Sequence, residues 1–292
     1  MVDLHTHTDQ SDGTLAPDAL VRAAVALSLE ALAVTDHDTL AGYDLAAPRA
    51  REAGLELICG IELSTRLDRK PGEPRSPSIH LLGYFPGREP AAEFRDWLSQ
   101  LQRSRRERNV SLIAKLQSLG VDISLDEVQA LGRNLTGRPH FARVLLSKGY
   151  VRTTQEAFDL YLADNAKASV EREEPTLREG IERITAGGGL AVLAHPVRLA
   201  APELAQLDRF VESLVAVGLA GIEVYHSEHG AEDMDRFLRI ARRYLLTVTG
   251  GSDFHGDNKP GVHLATGKDG NLCLPYRIVE DLRASAERLA NI

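Results

Sequence analysis

The chain has 292 residues, 43% of them hydrophobic and 26% charged, with a net charge of −8. That is enough apolar material for a sizeable core, and more than one ordinary domain holds unless the domain is an α/β barrel. No apolar run nears the roughly 18 residues of a membrane span and no charged-then-apolar leader opens the chain, so a soluble, cytoplasmic protein is expected, with no membrane and no long duplex DNA among its partners.

The chain opens on Asp3-Leu4-His5-Thr6-His7, with Asp12 close behind. Side chains alternate along a strand, so His5 and His7 share a face and can hold one ion. A helix is predicted over 16–28, with Pro17 in its first turn. The apolar run at 31–35 ends in Asp36-His37-Asp38, and a second helix is predicted over 40–53. The run at 55–63 carries Glu62 and contains Cys59, which reads as a small core residue. With Cys273 in a distant segment, two reduced thiols are expected. Residues 70–77, rich in Pro and Gly, read as an exposed loop. His80 opens the run at 80–85, whereas the other candidate ligands fall at or near the ends of theirs.

Between 95 and 175 the strand–helix rhythm stops. Leu98, Leu101, Val110, Ile113, Leu116 and Leu119 predict a long helix ending near Gly120, and Ser124-Leu125-Asp126-Glu127 starts another. Residues 101–152 hold ten Lys or Arg against four acids, so this segment is basic while the rest of the chain is acidic. An acidic, metal-binding body with a basic segment suits a small, highly anionic substrate. Arg138 and His140 are candidates for a phosphate clamp, because Pro139 can open a helix whose free N–H groups attract anions and Arg grips phosphate with a fork of donors. Arg133 and Lys167 are further candidate substrate contacts.

The rhythm then resumes, with helices predicted over 176–187, 203–217, 231–243 and 276–290 and strands near 190–195, 220–225 and 245–250. His195, Asp253 and His255 follow the first and last of these strands; His226 and His229 follow the middle one. His229 is the candidate acid for a leaving alkoxide. Alternating strands and helices imply βα units around a parallel sheet, with ligands at the carboxyl ends of strands. The expected architecture is an α/β barrel over 1–94 and 176–292, interrupted by an all-helical insertion over 95–175.

The ordered motifs Asp3-Leu4-His5-Thr6-His7, Thr35-Asp36-His37-Asp38, Gly60-Ile61-Glu62, Ile79-His80-Leu81, Ala194-His195-Pro196 and Ser252-Asp253-Phe254-His255 resemble those of the PHP (polymerase and histidinol phosphatase) phosphoesterases across nearly the whole chain. Gly137-Arg138-Pro139-His140 and Glu171-Arg172-Glu173-Glu174 resemble the bacterial branch that dephosphorylates 3′,5′-nucleoside bisphosphates and trims short RNA from its 5′ end. The resemblance implies a distorted seven-stranded barrel holding two to three divalent ions. His5, His7, Glu62 and Asp253 would bind the first, Asp12, His37 and His255 the second, and Glu62, His80 and His195 the third, with Asp12 and Glu62 serving catalysis as well. Such a mixed donor set suits manganese first, then iron or zinc, better than magnesium alone. Ions a few ångströms apart supply a nucleophile at neutral pH and neutralise phosphoryl charge. A nucleotide, with short RNA as a further substrate, is the expected partner. The alternatives are another small phosphate ester, such as histidinol phosphate, a sugar phosphate or a cyclic phosphodiester, and a noncatalytic metal-binding module.

Overall fold

A computed structural model describes residues 1–68, 76–164, 166–200 and 205–290; most of the predicted loop at 70–77 lies outside them. One seven-stranded sheet runs in chain order: β1 (Val2–Asp3), β2 (Ala31–Val34), β3 (Glu56–Thr65), β4 (Ile79–Phe85), β5 (Leu190–Leu193), β6 (Gly221–His226) and β7 (Thr247–Gly251). The first and last strands meet. Leu4 N–H donates to Gly250 O at 3.3 Å, Asp253 N–H to His5 O at 2.8 Å and His7 N–H to Phe254 O at 2.9 Å, which closes the sheet into a distorted barrel. Closure needs Gly251, because a Cβ there would stand 2.2 Å from His5 N.

The expectation of a parallel sheet needs one correction. β4 is antiparallel to both β3 and β5, while the other neighbouring pairs are parallel. Among the described residues no helix lies between β3 and β4, and an antiparallel neighbour needs no crossover helix. The reversal explains His80: the start of an antiparallel strand lies at the same end of the barrel as the finish of a parallel one.

Helices α1 (Pro17–Ala26) and α2 (Ala41–Ala53) follow β1 and β2 and pack against Leu32 and Val34. Strand alternation divides the remaining apolar residues. Leu82, Tyr84 and Val192 pack with Ile278, Val279 and Leu282 of the C-terminal helix Arg277–Ala290. Their neighbours Leu81 and Leu193 join Ile61 and Leu63 under the helices that follow β4, β5 and β6.

The insertion is helical, as expected: α3 (Ala92–Ser118), α4 (Leu125–Gln129), α5 (Arg138–Ser147), α6 (Thr154–Ala157) and a π-helical turn, Phe158–Leu162. Its own core gathers Leu112, Leu116, Phe141, Leu145 and Leu162. α3 belongs to both units. Its first turns place Phe94, Trp97 and Leu98 in the barrel core, and its last turns enter the helical core. The chain re-enters the barrel through α7 (Leu177–Ala186), capped by Thr176, whose hydroxyl accepts the Glu179 N–H. Among the described residues no helix is long and apolar enough to cross a membrane.

Candidate metal centre and phosphate pocket

At one end of the barrel the nine candidate ligands gather, and Glu62 contacts five of the others. Its Oε1 lies 2.8 Å from both His80 Nδ1 and His195 Nε2. Its Oε2 lies 3.1 Å from His5 Nε2, 3.1 Å from His7 Nε2 and 3.3 Å from His37 Nδ1. Asp253 Oδ1 stands 3.4 Å from His7 Nε2 and 3.3 Å from His255 Nδ1. Asp12 Oδ1 stands 3.3 Å from His255 Nε2, and Oδ2 3.8 Å from His37 Nε2. Three groupings result: His5, His7, Glu62 and Asp253; His7, Asp12, His37 and His255; and His37, Glu62 and His80. His195 joins through Glu62.

The donor chemistry fits divalent cations. Both ring nitrogens of His7 and Nδ1 of His37 are buried without a hydrogen-bond partner among the described residues. One carboxylate oxygen cannot accept from three imidazoles at once, whereas divalent ions shared among these groups would satisfy them. Burial alone would raise the carboxyls of Asp12, Glu62 and Asp253. It is outweighed by His255 and His37 at Asp12, by His37, His80 and His5 at Glu62, and by Lys259 and His5 at Asp253, so all three sit well below the usual range and stay ionised. Burial holds the imidazoles of His37 at about 4 and His195 at about 3, which leaves their lone pairs free.

Two cavities flank the cluster. One, of about 250 Å³, is bounded by Asp12, His37 and His80 on one side and by Arg66, Arg105, Arg108, Arg138 and Arg172 on the other. The other is wider, about 1030 Å³, and is lined by Arg143, Gln155, Phe158, Arg198 and Lys259. The acids around the small cavity do not balance its arginines. Asp38 pairs with Arg105 and, at 3.4 Å, with Arg172. Asp164 pairs with Arg66 at 2.7 Å and Arg138 at 2.6 Å, and Glu174 with Arg66 and, at 2.9 Å, Arg172. Arg108 is 6% exposed and has no ion pair among the described residues. Burial, together with Arg105, Arg138 and Arg172, outweighs Glu174 and pushes its guanidinium down to about 8.

The sequence-based substrate and acid candidates are divided. Arg138 lines the small cavity. His140 borders it as a helix cap: Nδ1 accepts the Gly137 N–H at 3.1 Å, and Nε2 packs against Gly132. The cap engages Nδ1, while Nε2 has no hydrogen-bond partner among the described residues and His140 lines both cavities. Arg133 is exposed and pairs with Asp9 at 2.9 Å outside both cavities, and Lys167 is exposed and lines neither. His229 is buried behind His226; its Nδ1–H donates to Val224 O at 2.7 Å and its ring meets Phe237 edge-on, so it does not reach the cleft as an acid.

Sequence reasoning missed Arg105, Arg108, Arg198, Lys259 and the buried acids behind the ligands. Arg198 Nη2 lies 3.0 Å from Asp253 Oδ2, which Lys259 also contacts. Asp36 accepts from Thr8 N, Thr8 Oγ1 and Ser11 Oγ, pinning the loop that presents Asp12. Glu223 lies behind His5. Asp253 and His195 take positive φ, +57° and +24°, a conformation costing about 1–3 kcal/mol that non-glycine residues keep chiefly at functional sites.

The PHP domain model matches residues 3–167, more than half of the chain. The chain belongs to the PHP family. It is 35% identical over 259 residues to a 5′-3′ exoribonuclease of Haemophilus influenzae, covering 87% of this chain and 89% of that protein. It is 31% identical over 263 residues to a 3′,5′-nucleoside bisphosphate phosphatase of Chromobacterium violaceum, covering 89% of each. Among solved structures, one described as a metal-dependent phosphoesterase from Bifidobacterium adolescentis superposes with a TM-score of 0.80 at 31% identity, covering 97% of this chain and 96% of that one. This PHP chain is therefore a metal-dependent phosphoesterase, and it shares its barrel fold with that solved structure.

Proposed function

We propose that the protein removes the 3′-phosphate from 3′,5′-nucleoside bisphosphates, as in the conversion of 3′,5′-bisphosphoadenosine to AMP. The observation that carries this reading is Arg108, a buried guanidinium with no ion pair among the described residues, in the arginine-lined cavity beside the ligand cluster. A substrate with two phosphates can place the non-reacting one there and the reacting one among the ligands. The similarity to the C. violaceum bisphosphate phosphatase supports the same substrate class.

His5, His7, Glu62 and Asp253 would hold one ion, Asp12, His37 and His255 a second, and Glu62, His80 and His195 a third, with manganese the first choice for this donor set. Bound ions supply an activated water at neutral pH and polarise the phosphoryl oxygens. Glu62 links all three ligand sets through its two oxygens, and Asp12 stands between the ligand cluster and the arginine cavity. Arg105, Arg108 and Arg138 neutralise the distal phosphate and fix its distance from the reacting ester. Arg198 and Lys259 bring positive charge from the opposite side. In this reading residues 95–175 form a cap over the barrel of 1–94 and 176–292.

The wider cavity favours a second activity. Its size, and its lining of Arg143, Lys259 and Phe158, suit the continuing chain of a short RNA whose 5′-phosphate occupies the arginine cavity. The test is phosphate release by manganese-loaded protein from 3′,5′-bisphosphoadenosine, against 5′-AMP, 3′-AMP, histidinol phosphate and a short 5′-phosphorylated RNA. Preference for the bisphosphate supports the reading, mononucleotide release from RNA adds the second activity, and turnover of histidinol phosphate alone overturns both.

A further inference from the structure

Six of the seven strands present at least one of the nine candidate ligands within the strand or in the segment just after it; β6 presents none of the nine, although its Glu223 and His226 stand close to His5. We infer that β6 is instead the positioning strand of the metal centre, through Glu223, which fixes His5 and His195, and His226, which fixes Asp253. This rests on the metal reading above and adds to it the residues that set ligand geometry.

A regular strand could not do this. Residues three apart face opposite sides of a sheet, so Glu223 and His226 would diverge. The β6–β7 ladder slips between them: Glu223 pairs with Thr249 and Tyr225 with Gly250, leaving Val224 as an extra residue. That bulge turns both side chains to the ligand side, the usual service of a bulge beside an active site.

Both side chains are fully buried, and their hydrogen bonds fix their roles. Glu223 Oε1 lies 2.8 Å from His5 Nδ1, and Oε2 accepts the His195 backbone N–H at 2.7 Å. Because the carboxylate only accepts, His5 keeps a proton on Nδ1, and Nε2, which faces Glu62 and Asp253, is the nitrogen left to offer an ion. The same carboxylate anchors the backbone at His195, where φ is +24°. His226 Nδ1 accepts the Glu228 N–H at 3.1 Å, so its proton sits on Nε2 and is donated to Asp253 Oδ2 at 3.2 Å. No lone pair of His226 is left over. Although His5, Glu223 and His226 lie close enough together to suggest another ion site, His5 Nδ1, both Glu223 oxygens and both His226 nitrogens are already engaged in these hydrogen bonds. One strand thus steers ligands from β1, β5 and β7.

Glu223→Gln is the decisive variant. Both partners of the carboxylate are donors, and an amide offers one acceptor and one N–H group, so either His195 loses its anchor or His5 shifts its proton to Nε2 and loses its metal-facing lone pair. Stripped protein is titrated with manganese by calorimetry and melted with and without the ion. The expected result is a manganese affinity lower by about 10–100-fold, with a cooperative melt retained and a smaller rise in Tm on adding the ion. His226→Phe should give a smaller loss of affinity, since Arg198 and Lys259 still hold Asp253.

A purely structural role would lower the Tm of stripped protein while leaving the manganese-dependent increment and the affinity at wild-type values; that result overturns the inference. If Glu223→Gln does not fold, wild-type manganese affinity in His226→Phe overturns it equally. Wild-type protein that takes up no divalent ion overturns the metal reading and this one with it, whereas wild-type binding matched by both variants overturns this one alone.

Discussion

His7 Nε2 stands 3.1 Å from Glu62 Oε2, an imidazole and a carboxylate both shut off from solvent. Burial pulls the His7 imidazole down, but the carboxylates of Asp253 and Glu62 outweigh it and set it at about 9, so near neutral pH it holds a proton that a divalent ion must displace. Manganese binding to stripped protein should therefore release protons at pH 7.5, read by calorimetry in two buffers of different ionisation enthalpy. The release should fade as the pH passes about 9. Equal heats in both buffers at pH 7.5 would count against this account.

The same shifts give the stripped protein a stability optimum. His7 is raised above its unfolded value, so its stabilisation is complete below about 6.5 and is lost as pH rises through about 9. His37 and His195 are depressed, to about 4 and about 3, so their contribution is present above about 6.5 and lost as pH falls through those values. Melts of chelator-treated protein should show falling Tm on both sides, and manganese should flatten the alkaline limb. A Tm that climbs steadily from pH 6.5 to 9 without metal is incompatible with the His7 shift.

Arg108→Met removes a buried charge that has no ion pair among the described residues and keeps the apolar stem. Stability should hold or rise, because an unpaired buried charge costs more than a buried thioether. A hydrogen bond to a charged group contributes about 1.5–3 kcal/mol, so KM for 3′,5′-bisphosphoadenosine should rise roughly 10–100-fold while turnover of a simple aryl phosphate stays near wild type. Equal loss on both esters would remove Arg108 from the distal-phosphate role.

Arg138→Ala should act in the same direction but less strongly. Arg138 is already paired with Asp164, and losing it frees that carboxylate to bind Arg66 alone. Metal content, read by elemental analysis, should be unchanged, with KM for the bisphosphate raised by less than in Arg108→Met. A drop in metal content would show that Arg138 supports the ligand cluster and not the substrate.

The ligand cluster was legible in sequence because a His or an Asp at the end of an apolar run is uncommon and this chain repeats it. Strand direction was not. Nothing in Ile79-His80-Leu81-Leu82 reports that β4 runs backwards, so His80 looked misplaced until the antiparallel ladder put it beside Glu62. The arginine cavity left a trace: Arg105 and Arg108 continue the stripe of Phe94, Trp97, Leu98, Leu112 and Leu116 along α3, and an arginine on a buried helix face asks for an anion. His229 misled because chemical type alone does not separate a cleft-facing imidazole from one spent on a backbone carbonyl. Glu223 was hidden by the bulge, since alternation assigns it and His226 to opposite faces.

Asp253→Asn separates charge from backbone in the metal centre. Asn tolerates the left-handed conformation that Asp253 adopts at φ +57°, so the turn after β7 should survive. What is lost is the anionic ligand oxygen facing His7 and His255, together with the charge that holds Arg198 and Lys259 at Oδ2. If the ions provide several kcal/mol of transition-state stabilisation, phosphate release should fall by about 1000-fold. Elemental analysis should show less than the wild-type metal content. The far-ultraviolet circular dichroism spectrum should match wild type, because the barrel closure through Asp253 N–H and His5 O uses the backbone alone. A variant that kept both its metal and its activity would exclude Asp253 as a ligand and return the first ion to His5, His7 and Glu62.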